Sequence, residues 1–145
     1  MTTWILDTNI VIFLLARNKL LQDPRAQHMR ARLHQLDQAL KQHVDAGGQL
    51  LLTPVVVHEA LFTLHHAYGY SQDECAQMLM SFIQAPEVLC EDEPWVRAAL
   101  FLHSAHGLDF VDGYLAARTL DQPDTYLVTH DTGIPKYTRA RLVNW

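Results

Sequence analysis

The sequence predicts an α/β domain with a central, mostly parallel sheet flanked by helices. Three observations lead there. Short apolar runs recur at residues 4–6, 50–52, 88–90 and 126–129, the length and character of buried strands. Segments with helical apolar spacing lie between them, and strands that alternate with helices pair in parallel. The runs at 4–6 and 50–52 lead directly into helix-opening signals, Asp7-Thr8-Asn9 and Thr53-Pro54. In an open α/β sheet, ligand chemistry collects where strands end and helices begin.

The opening run, Trp4-Ile5-Leu6, reads as a buried strand. Thr8 is placed as the cap of a helix over residues 10–16, and residues 17–22 as a connection. Asp23-Pro24 couples a capping acid to a proline at the first helical position, so a helix is expected from there. Met29, Leu33, Leu36, Leu40 and Val44 form its apolar stripe, and Gly47-Gly48 ends it. Residues 50–52 give a second buried strand, and Thr53-Pro54 opens a helix over residues 54–67, with Gly69 as its stop. Ser71-Gln72-Asp73-Glu74 is a capping box for a helix reaching Gln84, and Pro86 breaks the pattern. A short strand at 88–90 precedes Glu93-Pro94, which starts a helix with Trp95, Ala98, Ala99 and Leu102 on one face, ending near Gly107. A further helix is expected over residues 109–120, then a turn at Gln122-Pro123-Asp124, a strand at 126–129, a loop at 130–133 and a last short strand at Leu142-Val143.

The 145 residues are 49% hydrophobic and 19% charged, with no repeat, linker or low-complexity tract, so one domain over residues 1–145 is expected. No apolar run approaches the roughly 20 residues that cross a bilayer, and no basic stretch precedes a long apolar one. Neither a membrane span nor a secretory signal is expected. Cys75 and Cys90 lack CxxC spacing and read as reduced thiols in a cytoplasmic setting, with a single disulfide as the alternative. A net charge of −5 argues against a generic nucleic-acid-coating protein. It leaves room for an enzyme that gathers acids in one metal site and keeps its Lys and Arg elsewhere.

Four acids then stand out by position. Asp7 ends the first strand, and Asp131 follows the strand at 126–129 by one residue, which places both at strand carboxyl ends on one edge of the sheet. Asp7 is either a helix-entry residue or a metal ligand. Glu59 falls in Val55-Val56-Val57-His58-Glu59-Ala60-Leu61-Phe62, where burying a carboxylate is costly without a partner. Its alternative is the solvent face of the helix, beside Thr63 and His66. Asp109 is adequately explained as a helix cap. Asp112 gains from the helix amino end, but Phe110, Val111, Tyr114 and Leu115 imply that this helix start is largely covered. Four neighbouring carboxylates repel unless a cation compensates them. Oxygen-only ligands favour Mg²⁺ or Mn²⁺ over zinc.

The ordered set Ile5-Leu6-Asp7-Thr8-Asn9, Glu59 in a helix after a strand and proline, Asp109-Phe110-Val111-Asp112, and Val128-Thr129-His130-Asp131 resembles a PIN-domain nuclease. It is most similar to the VapC-type ribonuclease toxins of prokaryotic toxin–antitoxin pairs, over nearly the whole chain. The resemblance implies a PIN-like fold and endoribonuclease activity with Mg²⁺ or Mn²⁺, leaving a 5′-phosphate. Asp7, Glu59, Asp112 and Asp131 match the family's acidic quartet as metal ligands and catalytic residues. Thr8, Asn9 and Thr129 match accessory polar positions, with Asp109 beside them. The resemblance further implies an RNA substrate, inhibition by a small cognate antitoxin whose tail covers the site, and a homodimer. Two departures are visible: Gly113 stands where alanine is common, and Ile134 where an aromatic often follows the last acid. A housekeeping PIN nuclease without an antitoxin and a non-catalytic PIN-like binding module are the alternatives. The second predicts a degraded acid set, whereas all four acids are present.

Other chemistries find less support. His58-Glu59 and His65-His66 do not make an HExxH zinc motif, and His58 and His65 sit two helical turns apart. His130 reads as a solvent-facing loop residue. No GxGxxG or P-loop occurs, and Ser71, Ser81 and Ser104 lie in ordinary helical settings. Arg17, Lys19, Arg118, Lys136, Arg139 and Arg141 are the candidates for contact with phosphates, each with a solvated surface charge as its alternative.

Overall fold

The computed structural model describes residues 2–137 and 140–142. In order, the described chain forms β1 (Thr3–Ile5), α1 (Thr8–Leu15), α2 (Arg17–Gln22), a 3-10 turn (Pro24–Ala26), α3 (Met29–Asp45), β2 (Gln49–Leu52), α4 (Pro54–His66) and α5 (Gln72–Ile83). It continues through β3 (Val88–Cys90), α6 (Glu93–His106), α7 (Phe110–Asp121), β4 (Leu127–Thr129), a second 3-10 turn (Pro135–Tyr137) and β5 (Ala140–Leu142). The α/β class is as expected. The Val143 half of the expected last strand lies outside the described residues, whereas Leu142 ends β5.

The sheet is smaller than expected. β1, β2 and β3 form one parallel sheet in that order, with Trp4 opposite Leu50 and Leu51 opposite Leu89. β4 and β5 pair in parallel as a separate two-stranded ladder. Asp7 and Asp131 therefore follow strands of two different ladders, not one shared edge. With only three residues, β4 offers few ladder bonds, and besides pairing with β5 it packs against α7. No helix among the described residues is long and apolar enough to cross a membrane.

β1 corrects a second expectation. Thr3, Trp4 and Ile5 are all exposed, Ile5 by 68%, and burial begins only at Leu6. Within its sheet β1 is an edge strand, so one side has no partner strand to cover it. The core sits instead around β2, where Leu52 is completely buried with Val57, Leu64, Leu79, Val96 and Leu100.

Residues 17–22 form α2 where a connection was expected. Tertiary anchors account for it. Arg17 donates two hydrogen bonds to the Asp37 carboxylate, at 2.9 and 2.5 Å. Lys19 donates to the Tyr68 carbonyl at 2.8 Å and lies over the Tyr70 ring. The helix expected from Asp23-Pro24 is only a 3-10 turn. The Asp23 side chain accepts from the amide of Arg25, two residues on, which closes a local turn, and the α-helix starts at Met29. By contrast, the Ser71 capping box forms with both reciprocal bonds at 3.0 Å.

α6 and α7 make the most extensive helix pair. Tyr114 donates its hydroxyl to Asp92 at 2.5 Å, and Trp95 donates its indole N–H to Asp121 at 2.9 Å. Gly113 permits the approach: a Cβ there would stand 3.2 Å from the Cα of Ala99. The departure noted in the sequence thus has a packing cause. Gly113→Val is expected to cost about 1–3 kcal/mol by overpacking, read as a lower urea midpoint with an unchanged slope.

Candidate active site

Asp7 turns the chain from β1 into α1. Its backbone is extended (φ −76°, ψ 157°), and its Oδ1 accepts the Thr8 amide at 2.7 Å. Asp7, rather than Thr8, is therefore the N-cap; Thr8 is buried as the first helical residue, and Asn9 is exposed beside it. The helix-entry reading of Asp7 is realised, while the carboxylate itself stays exposed.

Glu59 does not sit among buried neighbours. α4 buries Val57, Ala60, Leu61 and Leu64, and Glu59 projects from the opposite side of the helix, exposed. Exposed Val55 and Phe62, one turn away on either side, share that face. The apolar run misleads because α4 leaves some of its own large apolar side chains in solvent. His58, next to Glu59, lies nearly parallel to Phe110 at 6.2 Å between ring centres.

At α7, Asp112 lies within the field of two other acids. Asp109 occupies the N-cap position, yet its side chain makes no capping bond, contrary to expectation. Asp112, one turn in, is half-buried. Its carboxyl is raised above the usual range, first by burial and then by the charges of Asp109 and Asp131. Asp23 and Glu74 illustrate the opposite case, where hydrogen bonds from Arg25 and Ser71 hold a carboxyl low.

Asp131 is fixed by two local bonds. Its amide donates to the Thr129 hydroxyl at 3.0 Å, and its Oδ1 accepts the Gly133 amide at 2.8 Å. Thr129 thus orients the loop that carries the acid. A Cβ on Gly133 would come within 3.2 Å of that Oδ1.

The charges of Asp109 and Asp131 both bear on Asp112. Among the described residues, no three His, Cys, Asp or Glu side chains stand close enough to hold a metal ion as they are. The donor chemistry nevertheless suits a hard divalent cation. The candidate donors are carboxylate oxygens, and Mg²⁺ keeps several waters and needs only one or two carboxylates.

The basic candidates are largely engaged. Arg17 and Lys19 hold α2 as described. The Arg118 guanidinium lies 4.5 Å from the centre of the Trp95 ring, and Lys136 lies near the Tyr137 ring. Arg139 is outside the described residues, and Arg141 falls in β5. Cys75 and Cys90 are buried free thiols, pushed up to about 11 and about 12, chiefly by burial.

One group escaped the sequence reading. His58, His65, His66 and His103 line a single cavity with Asp109 and Phe110. The seven-residue spacing of His58 and His65 excludes adjacent-turn metal chelation, but it also marks one helix face. Followed as a face, it leads to this cavity. No family model, no curated protein and no solved structure matches the chain.

Proposed function

We propose that this protein is a metal-dependent endoribonuclease of the PIN type, acting as the toxin of a toxin–antitoxin pair. The observation that carries the reading is the convergence of Asp109 and Asp131 on half-buried Asp112, beside the end of a strand. A half-buried carboxylate under the charges of two others gains from a cation beside it. The ordered acids Asp7, Glu59, Asp112 and Asp131 supply the link to phosphodiester cleavage.

In this reading Asp112 and Asp131 are the principal holders of Mg²⁺ or Mn²⁺. Asp7, with one oxygen committed to the Thr8 amide, and exposed Glu59 are outer members of the set. The bound ion would offset phosphate charge and acidify the attacking water. Asp112 sits where burial strengthens its interaction with such an ion. Thr129 positions Asp131 through its amide. Thr129→Val removes that bond and is expected to lower cleavage about 10-fold, as outer-shell partners commonly do. Thr129→Ser retains it and should keep most of the rate.

The family resemblance supports a homodimer and a small antitoxin covering the acids, and the two cysteines without CxxC spacing support a cytoplasmic setting. The test is incubation of total tRNA, rRNA and synthetic RNAs with purified protein in Mg²⁺, in Mn²⁺ and in EDTA. Cutting that requires metal and leaves 5′-phosphate ends is the expected result. Undiminished cutting in EDTA would overturn the reading.

A further inference from the structure

We infer that the cavity between α4, α6 and the start of α7 receives a guanine base of the RNA, an inference that rests on the nuclease reading and specifies its substrate. The cavity has a volume of about 100 Å³, well above the roughly 10–15 Å³ that one water needs. It adjoins the acids directly, since Asp109 lines it and Asp112 follows one turn later.

Its walls are rings. Phe62, 60% exposed, leans on His66 at 4.2 Å between ring centres, and His58 lies nearly parallel to Phe110. Exposed π faces around an open cavity suit a planar base, which single-stranded RNA presents by unstacking.

Two of its histidines present acceptors. His65 Nδ1 lies 2.7 Å from the Tyr70 carbonyl, and His103 Nδ1 lies 2.8 Å from the Leu108 carbonyl. A carbonyl only accepts, so each Nδ1 carries the proton, and in the neutral ring Nε2 is left as an acceptor. Asp109 adds a carboxylate. Asp7, Asp23, Thr53 and Ser71 spend their side chains on helix-opening amides, but Asp109 does not. Its carbonyl accepts the Gly113 amide at 2.9 Å, while its carboxylate makes no capping bond.

The Asp109 carboxylate repels phosphate and calls for N–H donors. Guanine offers two in parallel, N1–H and N2–H, which a carboxylate takes together. Adenine, cytosine and uracil each set an acceptor next to their donor on that edge. The Gln72 amide, also lining the cavity, has the N–H that guanine O6 requires.

The test is a titration of the intact protein with guanosine, adenosine, cytidine and uridine in EDTA, followed by NMR. The nucleosides carry no phosphate, so their binding is read independently of metal and of cleavage. Guanosine should bind about 10-fold tighter than the others, and Phe62→Ala should lose about 10-fold in guanosine affinity. Phe62 is exposed, so this variant folds. Asp109→Asn, which places a donor among the acceptors, should abolish the guanosine preference. Equal binding of all four nucleosides, or a preference unchanged in Asp109→Asn, would overturn the pocket and leave the nuclease reading of the wild-type protein standing. Guanosine binding in a protein that cuts no RNA would instead keep the pocket and remove the nuclease.

Discussion

Asp112→Asn is expected to abolish RNA cleavage and, at neutral pH, to raise the melting temperature. The two effects share one cause. Asp112 is half-buried, and its carboxyl is raised by burial and by the charges of Asp109 and Asp131. The folded chain therefore binds its proton more tightly than the unfolded chain does. Stability contributed by the protonated group is present below the unfolded carboxylate value and is lost as pH rises through the raised folded value. Above that window the native state carries the full penalty of the charge. Asparagine keeps the shape and removes the charge, so the variant melts higher at pH 7. The gain should vanish below the ordinary carboxylate range, where Asp112 is protonated in both states. Cleavage should fall by more than about 100-fold, beyond the loss typical of outer-shell partners. A stability–activity trade of this kind is common where function needs a strained site. Melting curves from pH 3 to 8, run beside a cleavage assay, check both halves. A variant that melts lower at pH 7 would contradict the electrostatic half.

Leu52→Ala is expected to cost about 2–5 kcal/mol. Leu52 is fully buried in β2, the middle strand of the sheet, among α4, α5 and α6 side chains. Its removal leaves a cavity with neighbours on both flanks that cannot collapse freely. Against a total stability of about 5–15 kcal/mol, this is a large share. Ile5→Ala, in the edge strand and 68% exposed, should change stability by less than about 0.5 kcal/mol. Urea unfolding of the two variants separates the positions. Similar losses at both would mean that β1 is covered in solution.

That contrast shows where the sequence is legible. Trp4-Ile5-Leu6 and Leu50-Leu51-Leu52 look equally apolar, but strand order determines which becomes interior, and residue type alone does not encode that order. Local signals fare better. The Ser71 box, the Thr53-Pro54 start, the strands at 50–52 and 88–90, and the α6 and α7 helices all lie where caps and breakers place them. α2 was illegible because long-range partners, Asp37 and the Tyr68 carbonyl, anchor it. At the candidate site, Asp112 is half-buried although Val111 and Leu115, two of the four residues expected to cover it, are exposed, and Glu59 is exposed despite its apolar run. The histidine-lined cavity depends on α4 meeting α6 and α7, a tertiary event with only a one-face spacing as its trace in sequence.

Manganese titration followed by electron paramagnetic resonance interrogates the proposed metal centre itself. Free Mn²⁺ gives a sharp signal that diminishes on binding, so uptake is counted without any substrate. Wild-type protein should sequester Mn²⁺, Asp112→Asn and Asp131→Asn should each lose that uptake, and Mg²⁺ should compete for it. Mn²⁺ uptake unchanged by both substitutions, or no uptake by the wild type, would contradict a metal centre at the start of α7.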